Sequence, residues 1–590
     1  MTNKEIAELL RNVASAYSIK NEQKFYFQII AYQKAADAIE NSITEIKDLN
    51  KDNALQSLPG VGPSIKAHLE ELLKTGTIAH FKWVFEDIPS SVFPLLKIPS
   101  FGPKKAYRLV KTFKLNNPKT VIKDLENIAK KGKIAPLAGF GEKSEQDIIR
   151  AINEYELEKT KSVRMTLPFA LELADKITDY LKKSEFAMQV ELLGSLRRMV
   201  STVGDIDIAA ASSNPKGVIE HFTKYPYKER VIEKGDTTSS ILTSGGHQVD
   251  LMVQPPEAFG SLLQHFTGSK AHNIHLREYA LKKGLSLSEY GIKNPKLPNK
   301  KLQQYKTEEL FYKAIDMDWV PPELREDSGE IELAIGHDLP KLIELSDIKG
   351  DLHIHSNYPI EPSHDLGRNS ITEMLDKAKE FKYEYLGFSE HNPSISKHSE
   401  SELLKILLKR DKMFEKISKD KKDVRIIKLL EVDILPTGKL AISDKAFDFL
   451  DGVIVSVHSS FTLDINKMTN RIIQGLSNKK AKILGHPTGR LINERQGYNL
   501  DWNKIFEFCF KNNKAIEINS CPSRLDLPDT LVKKAVEKGV KLVINTDSHA
   551  VYQMKNMKYG VSVARRGWAK KSDILNTLPY NEFIKWLRTY

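Results

Sequence analysis

From about residue 350 the chain repeats one unit, a short apolar strand followed by room for a helix, and that rhythm limits the folds open to it. Seven strands follow in turn: "GDLHIHS", "YEYLGFSEH", "VRIIKLLEVD", "FDGVIVSVH", "KILGHP", "AIEINS" and "KLVINTDSH". Strands apolar along their whole length are covered on both faces, and alternation of strand and helix gives a parallel sheet. A parallel βα barrel is therefore predicted here. The 590 residues exceed what one core holds, and this length suggests roughly three to five domains or subdomains.

The first third is different. Apolar residues recur at helical spacing in "EIAELLRNVASAY" and "YQKAADAIENSI", which predicts an all-helical region. A short element recurs there as "LPGVGPSIKAHLEELL", "IPSFGPKKAYRLVKTF" and "LAGFGEKSEQDIIRAI", at a spacing of about forty residues. Each copy puts glycines in a tight turn ahead of an amphipathic helix: Gly60 and Gly62, then Gly102, then Gly139 and Gly141. Such a turn leaves the first helical N–H groups free for a phosphate oxygen, with the helix dipole adding to the attraction. The three copies resemble helix-hairpin-helix motifs, which grip a nucleic-acid backbone without reading its sequence. A net charge of +12 agrees with a polyanionic partner. The chain is 41% hydrophobic, yet no apolar run approaches the length of a membrane span. Its two cysteines, Cys509 and Cys521, give no disulfide framework. With the charged N-terminus, these features predict a cytoplasmic protein with no membrane partner.

From about residue 156 helices mix with strands, and "QVELLGSLRR", "VGDIDIAAAS", "SILTSGG" and "HQVDLMVQP" are the strand candidates. In "VGDIDIAAAS" Asp205 and Asp207 stand two apart in an apolar run, so both project from one face while Ile206 and Ile208 pack on the other. Asp250 in "GHQVDLMV" stands likewise opposite Val249, Leu251 and Val253. Three converging carboxylates repel one another unless divalent cations lie between them, and oxygen ligands suit Mg²⁺. Upstream, "GSLRR" offers Gly194 for close backbone approach, the Ser195 hydroxyl and the Arg198 cation, a set able to hold a triphosphate. Together these parts suit two-metal nucleotidyl transfer with Mg²⁺ or Mn²⁺.

GS-x-RR followed by G-D-I-D and a later strand aspartate resembles the nucleotidyltransferase palm. "FTGSKAHNIHLRE" is similar to the nucleotide-contacting segment of family X DNA polymerases, the family of DNA polymerase beta. The resemblance covers roughly residues 1–335. It implies Asp205, Asp207 and Asp250 as catalytic metal ligands, and Gly194, Ser195, Arg198 and Gly204 around the triphosphate. It also implies Phe266 and Gly268 beside the sugar, Asn273 at the minor-groove side of the incoming base, and Arg277 near the template. His265 stands where the family commonly has tyrosine. Some members carry a Schiff-base lyase in the N-terminal domain; here His68 takes the place of the nucleophilic lysine, and Lys66, two residues away, lies on another helix face.

In the barrel, His353 and His355 end the first strand, His391 the second, Glu431 the third, His458 the fourth, His486 the fifth, and Asp547 with His549 the seventh. Groups at strand C-termini share one mouth of such a barrel. Imidazoles and carboxylates gathered there suit a multinuclear centre of Mn²⁺, Zn²⁺ or iron that hydrolyses a phosphoester. "DLHIHS", "SEH", "EVDILP", "SVHSSF", "GHP" and "NTDSH" resemble the polymerase-and-histidinol-phosphatase (PHP) domain over about residues 349–575. That resemblance implies up to three ions and 3′–5′ exonuclease, phosphatase or abasic-endonuclease work. The family has an aspartate about five residues past its H-x-H pair; here Asp365 follows ten residues after His355 and is expected to be that ligand, displaced by a loop insertion, with His364 as competitor. Glu390 is expected to support the ligands from behind.

The expected protein is multidomain. Residues 1–85 form a helical, lyase-like DNA-binding domain and 86–155 a second hairpin subdomain. Residues 156–258 form an α+β palm and 259–335 the nucleotide- and template-contacting subdomain. After a linker at 336–349, a (β/α)7-like PHP domain occupies 350–590. The expected function is that of a family X DNA polymerase filling short gaps in DNA repair, base excision repair included, with a metal-dependent 3′-end phosphoesterase attached. Gapped or nicked DNA and deoxynucleoside triphosphates are the expected partners of a monomer. The alternative is an end-processing nuclease whose polymerase core mainly binds DNA.

Overall fold

The computed structural model of the chain describes residues 1–589 apart from 2, 41–45, 52–54, 59, 99–100, 160–163, 295–301 and 422. Pro59, Pro99 and Ser100 of the hairpin turns lie outside the described residues. The chain divides into two compact units: Met1–Arg164 with Asp175–Ile177 and Glu220–Asp250, and Met165–Ala174 with Thr178–Ile219 and Leu251–Tyr590.

Among the described residues of the first 164 the regular elements are all helices, as the periodicity predicts. Buried apolar side chains from Ile6 to Ile152 form one continuous core cluster. Each glycine turn leads into a helix: Pro63–Thr75, Pro103–Phe113 and Glu142–Lys159. Gly60 (φ +84°) and Gly139 (φ +77°) hold the left-handed conformation that glycine adopts without strain. At Gly60 a Cβ would also press on the backbone of Lys34 and Ala35. Gly62 and Gly102 cap their helices without any side-chain hydrogen bond, and Pro63 and Pro103 open them. The first N–H groups of both helices thus have no capping side chain as competitor for an incoming acceptor.

Strands Gln189–Leu192, Ile206–Ala211, Gln248–Gln254, Thr238–Thr243 and Lys228–Lys234 lie in that order in one sheet. Burial alternates along Gln248–Gln254, with Val249, Leu251 and Val253 inside. Ile206 and Ile208 are likewise fully buried. Sequence reading missed Lys228–Lys234: "KERVIEK" is a charged strand at the sheet edge and shows no alternating apolar face, which is how edge strands avoid further pairing.

A buried ion network ties the loop before Asp205 to the residues that follow. Arg197 makes a bidentate pair with Glu308 (2.9 and 2.7 Å), and the fully buried Arg325 reaches the same carboxylate at 2.7 Å. Burial alone would raise the Glu308 pKa, but Arg325 and Arg197 outweigh it and depress it to about 2. A carboxyl so depressed contributes stability that is complete above its unfolded pKa, ~4.3, and is lost as pH falls toward the folded value. Glu308→Gln leaves two guanidiniums without a counter-charge and is expected to cost about 3–5 kcal/mol at pH 7. Urea unfolding checks this, and the gap between variant and wild type should narrow as pH drops below ~4.3, where the carboxyl of the unfolded chain takes up its proton while native Glu308 stays ionised until about 2.

Beyond residue 350 all seven expected strands form: Gly350–Ile354, Tyr385–Phe388, Arg425–Lys428 continued by Glu431–Asp433, Val453–Ser456, Ala481–Leu484, Ala515–Asn519 and Lys541–Asn545. Neighbours pair in parallel and in sequence order. Leu352, Tyr385, Ile427, Ile454, Ile483, Ala515 and Val543, one from each strand, meet in a single buried cluster. The ladder differs from one closed sheet in being split into a three-stranded and a five-stranded sheet. Isolated parallel bridges, Ile354 with Ser548 and His391 with Glu431, join them. The split falls at Leu429–Leu430 inside the third strand, so Glu431 opens a second segment instead of ending the strand as expected. The expected linker 336–349 is packed: Leu342 bridges Lys570, and the Ile343 amide donates to Ala569 at 3.0 Å.

Candidate active sites

One carboxylate oxygen from each of Asp205, Asp207 and Asp250 lies within 4.8 Å of the others. Asp205 is exposed just before its strand, Asp207 half-buried within it, and Asp250 half-buried on the neighbouring strand. Gly194, at φ +57°, begins the short helix Gly194–Arg197, and a Cβ there would collide with the carboxylate of Asp207. The glycine is therefore required by the approach of backbone to carboxylate as well as by conformation.

The two arginines of "GSLRR" separate. Arg197 belongs to the buried network, whereas Arg198 donates from Nε to Glu326 (3.0 Å) and from Nη1 to the Thr267 carbonyl (2.5 Å). Gly268 lies against that guanidinium, a Cβ there falling 3.1 Å from Nη1. Ser195 and Gly204 both precede the aspartates, Gly204 directly before Asp205. Asn273 sits on helix Lys270–Lys282 with its amide donating to the His265 carbonyl (2.7 Å) and accepting from Gln264 (2.9 Å). Phe266 packs edge-on to His265, and the exposed Arg277 reaches His265 Nδ1 at 3.3 Å. Burial holds the His265 pKa down, with Arg277 adding to it and Glu289 opposing. In the helical region His68 accepts or donates at Tyr32 (2.8 Å) and stacks on His80, while Lys66 turns to Glu70 at 3.5 Å.

The second site converges on Glu431, which is 1% exposed. Its Oε2 faces His391 Nδ1 at 3.0 Å, His353 Nε2 at 3.2 Å and His355 Nε2 at 3.6 Å. Its Oε1 faces His486 Nε2 at 2.8 Å and His458 Nε2 at 3.3 Å. Asp547 stands 3.3 Å from His355 and 3.5 Å from His353. Asp365, on a loop and 71% exposed, reaches back to His391 (3.3 Å) and His549 (3.5 Å). His364 turns instead to Asp433 at 3.2 Å, and Asp433 accepts from His458 Nδ1 at 2.6 Å. Burial opposes charge on His391, but Glu431 and Asp365 overcome it and raise its pKa to about 10. His355 is pushed down by burial and by His549 beside it.

Several of these atoms are buried without a hydrogen bond: His353 Nε2, both nitrogens of His355, His391 Nδ1, Glu431 Oε2, His486 Nδ1 and His549 Nε2. Unsatisfied donors and acceptors facing one another at such distances are costly to a protein alone, and metal ions satisfy them. The residues thus fit a metal cluster. Behind them Glu517, fully buried, accepts from His353 Nδ1 at 2.7 Å and from Asn545 at 2.8 Å. It fixes the ring so that Nε2 faces the cluster. Sequence reading missed Glu517, although a carboxylate between two isoleucines in "AIEINS" was the same kind of signal as Asp207. Glu390, 1% exposed, bonds Ser356 and Arg410.

A carboxylate triad on an α+β sheet, behind a helical region with glycine-turned helices and ahead of a buried polynuclear ligand cluster, defines a nucleotidyltransferase joined to a phosphoesterase. Family profiles agree: a helix-hairpin-helix domain matches residues 1–78, the DNA polymerase beta thumb residues 262–326, and a PHP domain residues 351–521. The "DNA polymerase/3′-5′ exonuclease PolX" of Bacillus subtilis (strain 168) is 34% identical over 590 residues, covering 100% of both chains. The chain belongs to the family X DNA polymerases that carry a PHP domain. DNA polymerase lambda of Arabidopsis thaliana is 23% identical over 313 residues, 49% of this chain and 54% of its own. A probable phosphatase of Thermoanaerobacter sp. (strain X514) is 29% identical over 164 residues, 26% of this chain and 64% of its own. No described helix is long and apolar enough to cross a membrane.

Proposed function

We propose that the protein fills short gaps in DNA and trims 3′ ends, using separate centres for the two reactions. The observation that carries this reading is the coexistence of the convergent Asp205–Asp207–Asp250 triad with the cluster of orphaned ligands around Glu431. In the first centre the three aspartates hold Mg²⁺ or Mn²⁺. Gly194, Ser195, Arg198 and Gly204 receive the triphosphate of a deoxynucleotide. Phe266 and Gly268 line its sugar, Asn273 meets its base, and Arg277 stands near the template. Bound divalent ions supply charge neutralisation along the transferring phosphoryl group. The chain's own residues place the reactants: the triad fixes where the negative charge collects, and Arg198 offers donors to the leaving oxygens.

In the second centre His353, His355, Asp365, His391, Glu431, His458, His486, Asp547 and His549 hold up to three Mn²⁺ or Zn²⁺ ions. The reach of the Asp365 carboxylate to His391 and His549 favours it over His364 as ligand. Glu517 and Asp433 hold the Nδ1 edges of His353 and His458, leaving each Nε2 turned inward. Gapped or nicked DNA is the substrate, gripped through its backbone by the glycine turns at Gly60, Gly62, Gly102, Gly139 and Gly141. Residues 1–85 and 86–155 serve that grip, 156–258 and 259–335 the polymerase, and 350–590 the phosphoesterase. The protein is taken to work as a monomer in the cytoplasm, a reducing compartment in which Cys509 and Cys521 stay free.

The test is a time course on a labelled primer in a short gap, with and without deoxynucleotides, in Mg²⁺, in Mn²⁺ and in chelator. Extension with nucleotides and shortening without them, both lost in chelator, is the expected result. Shortening alone would leave the polymerase core as a DNA-binding element and overturn the first centre.

A further inference from the structure

Arg566 ends helix Met557–Arg566 of the PHP region, and its side chain is only 7% exposed. Its Nε donates to Asp529 within that region at 2.7 Å. Its Nη1 leaves the region: it donates to the main-chain carbonyl of Arg198 at 2.8 Å and to Glu326 Oε1 at 3.0 Å. The same Oε1 accepts from Arg198 Nε at 3.0 Å. Arg198 is thus gripped at its backbone by Arg566, at Nε by a carboxylate that Arg566 holds, and at Nη1 by the Thr267 carbonyl. Among the described residues none bonds its Nη2.

We propose that Arg566 is a positioning residue for nucleotide binding, so that the PHP region sets the aim and effective charge of the arginine that receives the triphosphate. The inference rests on the proposed role of Arg198. Two effects combine. Glu326 shared between two guanidiniums neutralises each only in part, leaving Arg198 with cationic character for an incoming anion; without Arg566 the carboxylate would pair with Arg198 alone. The bond to the Arg198 carbonyl also fixes the backbone from which the side chain springs, and misplacement of a binding group by a fraction of an ångström is costly.

Adhesion between the two regions is the competing role, and the neighbouring residue separates the two. Arg565 pairs with Glu323 at 2.6 Å and donates to the Ile343 carbonyl at 3.0 Å, joining the same two regions without touching Arg198 or Glu326. The experiment is steady-state filling of a one-nucleotide gap by the full chain, with 3′ shortening measured on the same preparations. Arg566→Ala is expected to raise the nucleotide KM about tenfold while kcat changes by less than about twofold. Its 3′ shortening should stay at the wild-type rate, which also shows that the variant has folded. Arg565→Ala should leave KM within about twofold of wild type. Arg566→Gln, which removes the guanidinium but keeps a polar side chain, should raise KM in the same direction, and it carries the test if Arg566→Ala fails to fold. An unchanged KM in Arg566→Ala, or an equal rise in Arg565→Ala, overturns the proposal. Arg198→Ala is the reference: if it leaves KM unchanged, the triphosphate role of Arg198 fails first and the inference falls with it. A rise in Arg198→Ala without one in Arg566→Ala overturns the positioning role alone.

Discussion

Replacing Asp205 and Asp207 together with alanine is expected to abolish primer extension, by at least about a thousandfold, and to leave 3′ shortening at the wild-type rate. The asymmetry follows from where the charges lie. These two carboxylates supply two of the three oxygens that approach within 4.8 Å, and Asp250 alone cannot hold a pair of ions against water. None of the ligands around Glu431 comes from this strand. The substitution should also be tolerated by the fold. Asp205 is exposed and Asp207 half-buried, and removing two like charges from the triad relieves repulsion. Thermal unfolding of the double variant at or above the wild-type midpoint would accompany the loss of extension. Loss of both reactions in a folded variant would mean that one centre serves both.

The same physics decides which features could be read from the sequence. Asp205, Asp207 and Asp250 announced themselves because a charge in an apolar strand needs a partner. The histidines did so because each ends a strand in a parallel βα pattern. Those signals are local. The glycine turns were legible for the same reason, since φ +84° at Gly60 and +77° at Gly139 call for glycine within a few residues of a helix start. The break at Leu429–Leu430 was not, because a continuous apolar run carries no punctuation where hydrogen bonding stops. The edge strand Lys228–Lys234 was hidden by its charges.

Long-range pairing left still less trace. Glu308 reaches back 111 residues to Arg197, and Arg566 reaches back 368 residues to Arg198. A surface-looking "RR" in sequence gives no hint that one arginine is locked into a buried network and the other shared between regions. The difference between Asp365 and His364 likewise left no trace: adjacent in sequence, they face different partners, His391 with His549 in one case and Asp433 in the other.

The converse variant, His353→Ala with His355→Ala, is expected to lower 3′ shortening by at least about a thousandfold while extension stays within about threefold of wild type. His353 is fully buried between Glu517 on one edge and Glu431 with Asp547 on the other, and His355 faces Glu431 and Asp547 as well. Removing both rings deletes two candidate nitrogen ligands and leaves buried Glu431 and Glu517, with Asp547 beside them, facing a void, so ions would bind more weakly at a site that water can enter. The same removal costs the fold some stability, because Glu431 and Asp547 lose the imidazoles that hold their pKa values down. Extension is therefore the internal control: on the proposed reading it uses the aspartate triad and Arg198, neither of which these rings touch. Measured on one preparation, retained extension with lost shortening assigns the Glu431 cluster to 3′-end hydrolysis. Retained shortening would remove His353 and His355 from that reaction and with them the Glu431 cluster as its centre.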